Sequence, residues 1–98
     1  MTSGETSLDS QSISDLINEL NNTWQYNQEK NTISQKFKFK NYYETMAFVN
    51  AAAWIAHQQD HHPDMEISYN QCQISFTTHS VSGLSLNDFI CAARINNL

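Results

Sequence analysis

Met46-Ala-Phe-Val-Asn50-Ala-Ala-Ala-Trp-Ile-Ala56-His57-Gln-Gln-Asp60-His61-His62-Pro63-Asp64 decides how this chain folds. Its first half is apolar on nearly every side of a helix, and its second half is polar and ends on a proline. Proline disfavours helical geometry in the residue before it, so a helix crossing Met46–Ala56 is expected to stop near His61. On that reading His57 and His61, four apart, share one helical face, and His62 leaves at the helix exit. Three imidazoles and two carboxylates gather where a helix becomes a loop. Imidazole titrates nearest neutrality, so the cluster suits proton transfer or metal binding.

Upstream, Asn41-Tyr-Tyr-Glu44 reads as a capping box opening this helix. An apolar surface on nearly all sides predicts burial on more than one face, against a sheet and against a partner chain. Before it, Thr32–Lys40 alternates: Ile33, Gln35, Phe37 and Phe39 on one face, Thr32, Ser34, Lys36, Lys38 and Lys40 on the other. Trp24 and Tyr26 alternate in Thr23–Asn27, and Asn27–Asn31 suits the hairpin loop between the two strands. Ser12-Ile-Ser-Asp15 reads as a capping box for a first helix carrying Ile13, Leu16, Ile17 and Leu20 and ending near Asn21-Asn22. Residues 1–10 are rich in Ser, Thr and Gly and read as a flexible arm, leaving 11–98 as a single domain.

Downstream, Met65, Ile67 and Tyr69 alternate, Asn70-Gln71 suits a tight turn, and Cys72, Ile74 and Phe76 alternate in a return strand. Thr77–Gly83 is a polar loop. Ser85-Leu-Asn-Asp88 is a third capping box, opening a helix with Leu86, Phe89, Ile90 and Ala93 inward. The order α-ββ-α-ββ-α predicts an α+β sandwich, a four-stranded antiparallel sheet with three helices packed on one face.

The bulk numbers exclude several roles. Ninety-eight residues with 40% hydrophobic content make one small domain. A net charge of −5 argues against a phosphate-backbone partner. No stretch is long and apolar enough to span a bilayer, and no signal-peptide pattern opens the chain. Cys72 and Cys91 lack metal or redox spacing, which fits reduced thiols of an intracellular, cytoplasmic protein.

Each candidate has a plainer role. His57 at a helix end can serve as a dipole contact, Asp60 can pair with a neighbouring imidazole, and Trp24 in a strand is by default core. Asp88 is most simply the third residue of its capping box. His57 and His61 at i, i+4 could ligate a metal, but Gln58 stands where a zinc-protease helix carries Glu. His61-His62-Pro63 with a distant His79 is harder to dismiss, because every histidine of the chain would then serve one rim.

The spacing His57-x3-His61-His62-Pro63-x5-Tyr69-x9-His79-x8-Asp88 resembles the signature of the pterin-4a-carbinolamine dehydratase family. Thr77-Thr78-His79, Gly83-Leu84-Ser85-x-x-Asp88-Phe89, Phe37-x-Phe39 before the Ala-rich helix and the position of Trp24 extend the resemblance from about Leu16 to the C-terminus. It implies dehydration of a 4a-hydroxytetrahydropterin to the quinonoid dihydropterin of tetrahydrobiopterin recycling, without cofactor or metal. It implies His61, His62 and His79 as catalytic residues, with His61 and His79 the acid–base pair and His62 orienting the substrate. Trp24, His57, Asp60, Pro63, Thr78 and Ser80 would contact the pterin, with Trp24 closing the pocket and Asp60 supporting an imidazole; Asp88 stays secondary.

Two positions depart from the animal members, which often carry Glu at the place of His57 and a basic residue at that of Asn87. The resemblance also implies a homodimer or homotetramer through the long helix 42–60. Animal members act as dimerisation cofactors of a homeodomain transcription factor, a role no feature of this sequence encodes. An interaction module with a non-essential histidine rim and a small metal-binding protein remain the alternatives.

Overall fold

The computed structural model describes residues 7–98. Along the chain lie α1 (Ser10–Glu19), β1 (Gln25–Asn27), β2 (Thr32–Lys38), α2 (Tyr42–Gln58), β3 (Asp64–Ser68), β4 (Gln71–Phe76), a 3-10 turn (His79–Val81) and α3 (Leu86–Asn96). The strands form one antiparallel sheet in the order β1-β2-β4-β3, so the two hairpins meet along β2 and β4. This is the α+β architecture read from the periodicities.

Register sets the inward-facing residues of the two hairpins opposite one another. Ile33 faces Phe76, Gln35 faces Ile74 and Phe37 faces Cys72 across the central pair. Cys72, Ile74 and Phe76 are fully buried while the residues between them are half-buried, the period-2 signature of a sheet with one dry face. Onto that face pack Val49, Ala52 and Ile55 of α2, Phe89, Cys91, Ala92 and Ile95 of α3, and Ile13 of α1. Each large apolar side chain so buried contributes about 1.5–3 kcal/mol before entropy is charged against it. The two thiols lie in this core, and burial, with the Asp88 carboxylate adding to it, pushes Cys91 up to about 11.

Some boundaries differ from the sequence reading, each for a local reason. Asp9, rather than Ser12, caps α1: its Oδ1 accepts the Ser12 backbone N–H at 2.8 Å. The Leu8 N–H donates to the Leu84 carbonyl at 2.8 Å, so of the expected arm 1–10 the last residues join the fold. Its first six lie outside the described residues. The second hairpin turns at Tyr69-Asn70, one residue earlier than Asn70-Gln71, because Ser68 pairs with Gln71.

Asn41 does cap α2, accepting the Glu44 N–H at 2.9 Å, while Glu44 receives the N–H of Lys40 rather than that of the cap. Within the chain α2 is buried along one face only, through Thr45, Val49, Ala52, Ile55 and Ala56. Tyr43 and Trp54 on its other side are exposed.

Candidate active site

The site begins with the way α2 stops. Gln59 caps the helix and Asp60 takes the left-handed conformation, φ 50°. The Asp60 N–H then bonds the His57 carbonyl at 3.1 Å and the His61 N–H the Ala56 carbonyl at 3.0 Å. These are the 5→2 and 6→1 bonds of a Schellman motif, with an aspartate where glycine is usual. Pro63 follows, and β3 starts at Asp64. Helix therefore gives way before His61, and His57 and His61 do not share a helical face. The reading that carried the helix to His61 placed the stop at the proline and missed a left-handed residue three positions earlier.

Past that turn, neighbouring side chains go to opposite sides. His61 is 3% exposed, whereas the side chain of His62 is 70% exposed. His61 stacks flat on Phe76, centroids 5.8 Å apart and planes 9° from parallel. Its Nε2 is hydrogen-bonded to Oδ1 of Asp88, which is completely buried.

Asp88 sits in the first turn of α3 and has two functions at once. With Ser85 it forms the expected capping box, its Oδ2 accepting the Ser85 N–H at 2.9 Å. The same oxygen accepts the Thr78 hydroxyl at 2.7 Å. With the carboxyl accepting all three bonds, two on one oxygen and one from His61 on the other, Nε2 of His61 carries the shared proton. The remaining ring nitrogen, Nδ1, is then the one free to give or take a proton. A charge this deep is tolerated only because each oxygen has its partners.

His61 forms part of the wall of a cavity of about 270 Å³ lined by Asp60, His61, His62, Thr77, His79 and Ser80. His79 and Ser80 belong to the 3-10 turn after β4. That turn is closed by paired bonds between Thr78 and Gly83 (N–H to carbonyl, 2.8 and 3.4 Å) and by Ser82 in the left-handed region. Thr77 ties it to the first hairpin, its hydroxyl donating to the Asn31 carbonyl at 2.6 Å. The His62 Nε2 lies 4.0 Å from Asp60 Oδ1 with both side chains in solvent, a pair worth little energetically.

Five of the residues singled out in the sequence thus meet at one cavity: Asp60, His61, His62, His79 and Ser80. Besides Asp88, four do not line it. Trp24 is 1% exposed in the core, in contact with Phe37 and Phe76, its Nε1–H given to Asn96 Oδ1 at 3.0 Å. His57 stacks on Trp54 at 5.7 Å on the exposed side of α2. Pro63 shapes the chain behind the histidines. Thr78 is buried beneath the site. Conversely, Thr77 lines the cavity and was not singled out, and the carboxylate bonded to His61 is Asp88, while Asp60 lies beside His62. Continuing the β4 alternation would have found the first: 72, 74, 76 and 78 point inward, which turns Thr77 out.

Among the described residues no group of three or more His, Cys, Asp or Glu side chains is placed to hold a metal ion. A larger hollow of about 570 Å³ lies at Thr23, Gln25, Ser34, Gln35, Lys36 and Gln73, and it contains no histidine.

Known proteins resemble this chain over most of its length. The profile of the family described as Pterin 4 alpha carbinolamine dehydratase matches residues 6–98. A Nitrosomonas eutropha protein named as a pterin-4-alpha-carbinolamine dehydratase is 58% identical over 83 residues, covering 85% of this chain and 72% of its own. One of the same name from Legionella pneumophila strain Corby is 52% identical over 91 residues, 93% of this chain and 80% of that one.

Among solved structures, a Brucella melitensis protein described as a transcriptional coactivator/pterin dehydratase superposes with a TM-score of 0.88 at 28% identity, covering 94% of this chain and 97% of its own. A pterin dehydratase-like protein described as a RuBisCO assembly factor of the alpha-carboxysome shares the fold, with a TM-score of 0.67 at 21% identity over 76% of this chain and 87% of its own. Fold, histidine cavity and sequence therefore agree: the chain belongs to the pterin-4a-carbinolamine dehydratase family.

Proposed function

We propose that this protein dehydrates a 4a-hydroxytetrahydropterin to the quinonoid dihydropterin, by histidine acid–base catalysis and without metal or cofactor. The observation that carries the reading is that three imidazoles line one small cavity while a buried carboxylate fixes one of them. The reaction breaks the C4a–O bond. A proton goes to the 4a-oxygen, N5 gives up its proton, the electron pair of that bond leaves with water, and a C=N bond forms at C4a–N5. Nothing is oxidised or reduced. Imidazoles near neutrality supply an acid and a base for both transfers.

His61 and His79 act as that pair, His61 through Nδ1, with Asp88 holding its ring. His62 and Asp60, on the solvent side, bind and orient the pterin; the Ser80 hydroxyl can donate to its polar edge, and the Thr77 oxygen, whose hydrogen goes to Asn31, can accept from it. The cavity suits a bicyclic heterocycle rather than a macromolecule. The setting is the recycling of tetrahydrobiopterin in the cytoplasm. No helix among the described residues is long and apolar enough to cross a membrane. The exposed side of α2, with Tyr43, Trp54 and His57, is the surface through which copies would form a dimer or tetramer.

Dehydration of enzymatically generated 4a-hydroxytetrahydrobiopterin, followed by ultraviolet absorbance with and without chelator, tests the reading. Chelator-insensitive acceleration over the spontaneous reaction is expected, and its absence overturns the proposal. The exposed Trp54–His57 pair favours one second reading, an interaction module. A His61→Ala/His79→Ala protein separates the two: turnover collapses while assembly persists if catalysis is the function.

A further inference from the structure

Thr78 is out of reach of any ligand in the cavity, yet it is tied into the site. It is 0% exposed, as is Asp88, and Ser85 is 1% exposed. Its backbone is pinned on both sides by the paired bonds to Gly83, so only the side-chain torsion is left to vary. The hydroxyl makes two contacts, Asp88 Oδ2 at 2.7 Å and Ser85 Oγ at 2.8 Å.

Counting protons fixes the direction of every bond. A carboxylate only accepts, so the Thr78 hydroxyl spends its one hydrogen on Asp88. The hydrogen between the two hydroxyls must then be that of Ser85. Ser85 Oγ in turn accepts the Asp88 backbone N–H, as the capping box requires. The bonds run in one sense, Asp88 N–H to Ser85 hydroxyl to Thr78 hydroxyl to Asp88 Oδ2. Each donor polarises the next in a setting without water, which strengthens the last bond of the series.

We infer that Thr78 is a positioning residue: polarised by Ser85, its hydroxyl fixes the rotation of the Asp88 carboxylate, and through it the Nε2–H tautomer of His61 that leaves Nδ1 facing the substrate. The inference rests on the catalytic reading of His61 for its consequence, not for its geometry. Without Thr78, Oδ2 keeps the Ser85 N–H alone, the carboxylate turns about its own axis, and the bond to His61 loses its alignment. Misplacing a reacting group by about 1 Å through a change away from the chemistry can cost about 100-fold.

The test uses the full chain with Thr78→Val, Thr78→Ser and Ser85→Ala. The ring-nitrogen chemical shifts of His61, read by proton–nitrogen correlation spectroscopy, report the tautomer; turnover is measured in parallel. Thr78→Val is expected to replace the single Nε2–H tautomer by a mixture and to lower kcat by up to about 100-fold with KM little changed. Thr78→Ser restores both. Ser85→Ala shifts the nitrogens in the same direction by less, and stands in if Thr78→Val does not fold. Wild-type ring shifts in Thr78→Val or in Ser85→Ala, or a Thr78→Ser protein no better than Thr78→Val, overturn the inference. Altered shifts with undiminished turnover uphold the positioning and overturn the catalytic part assigned to His61.

Discussion

His61 and Asp88 are hydrogen-bonded inside the protein although they stand 27 positions apart, one just past the turn that ends the central helix and the other in the first turn of the last. The pair joins two elements and sets a ring orientation with one bond. Asp88→Asn is therefore expected to preserve the fold, because an amide oxygen can still accept the Ser85 N–H and the Thr78 hydroxyl. Its NH2 would donate to Nε2, forcing the proton to Nδ1, the wrong nitrogen. Turnover should fall about 100-fold or more at near-native melting temperature; steady-state kinetics beside thermal circular dichroism checks both halves.

Trp24 and His57 should behave as structural residues. Trp24→Phe loses ring volume and the bond to Asn96, and should cost about 1–3 kcal/mol in urea unfolding with KM unchanged. His57→Ala, on the exposed side of α2, should leave kcat and KM of the isolated protein as they were. A raised KM in either variant would return that residue to the pocket.

Asp60 separates stability from activity. A non-glycine residue at φ 50° is strained, less so for Asp than for most. Asp60→Gly should thus hold or raise stability by up to about 1 kcal/mol. The same change removes a carboxylate from the cavity rim, so KM should rise. Denaturation and kinetics on one preparation would show the two effects moving apart.

The cap of α1 carries a pH signature. Hydrogen bonds from Ser12 hold the Asp9 carboxyl below its ordinary value of 3.8. A depressed pKa means stabilisation that is complete above the ordinary value and disappears as pH falls through the folded one. Asp9→Ala should accordingly be less stable than wild type at neutral pH, with the gap narrowing once the medium is more acid than pH 3.8. Melting curves from pH 7 downward would show the two proteins converge; a gap constant with pH would mean that the charge is irrelevant.

Sheet and helix order were legible because the signals are periodic. Cys72, Ile74 and Phe76 alternate, and Asn41 and Ser85 announce the helices they cap. What escaped was set by single backbone conformations and by contacts distant in sequence. Nothing in Gln58-Gln59-Asp60 marks a left-handed residue as glycine would, so the helix appeared to reach His61. Asp88 has a complete local explanation as the third residue of its capping box, which hid its contact with His61. Trp24 lies in the core, which is the default for a tryptophan in a strand.

The left-handed turn at Asp60 has one more consequence, which concerns phase. His61 and His62 are chemically identical, and only the point at which extended chain begins decides which goes inward. Counted from the end of α2, deleting Asp60 would put the second imidazole at the position that now meets Asp88 and the first at the exposed turn. The doublet's two members are distinguished by arithmetic along the backbone, so a count of histidines conserved in number but shifted by one would describe a different enzyme.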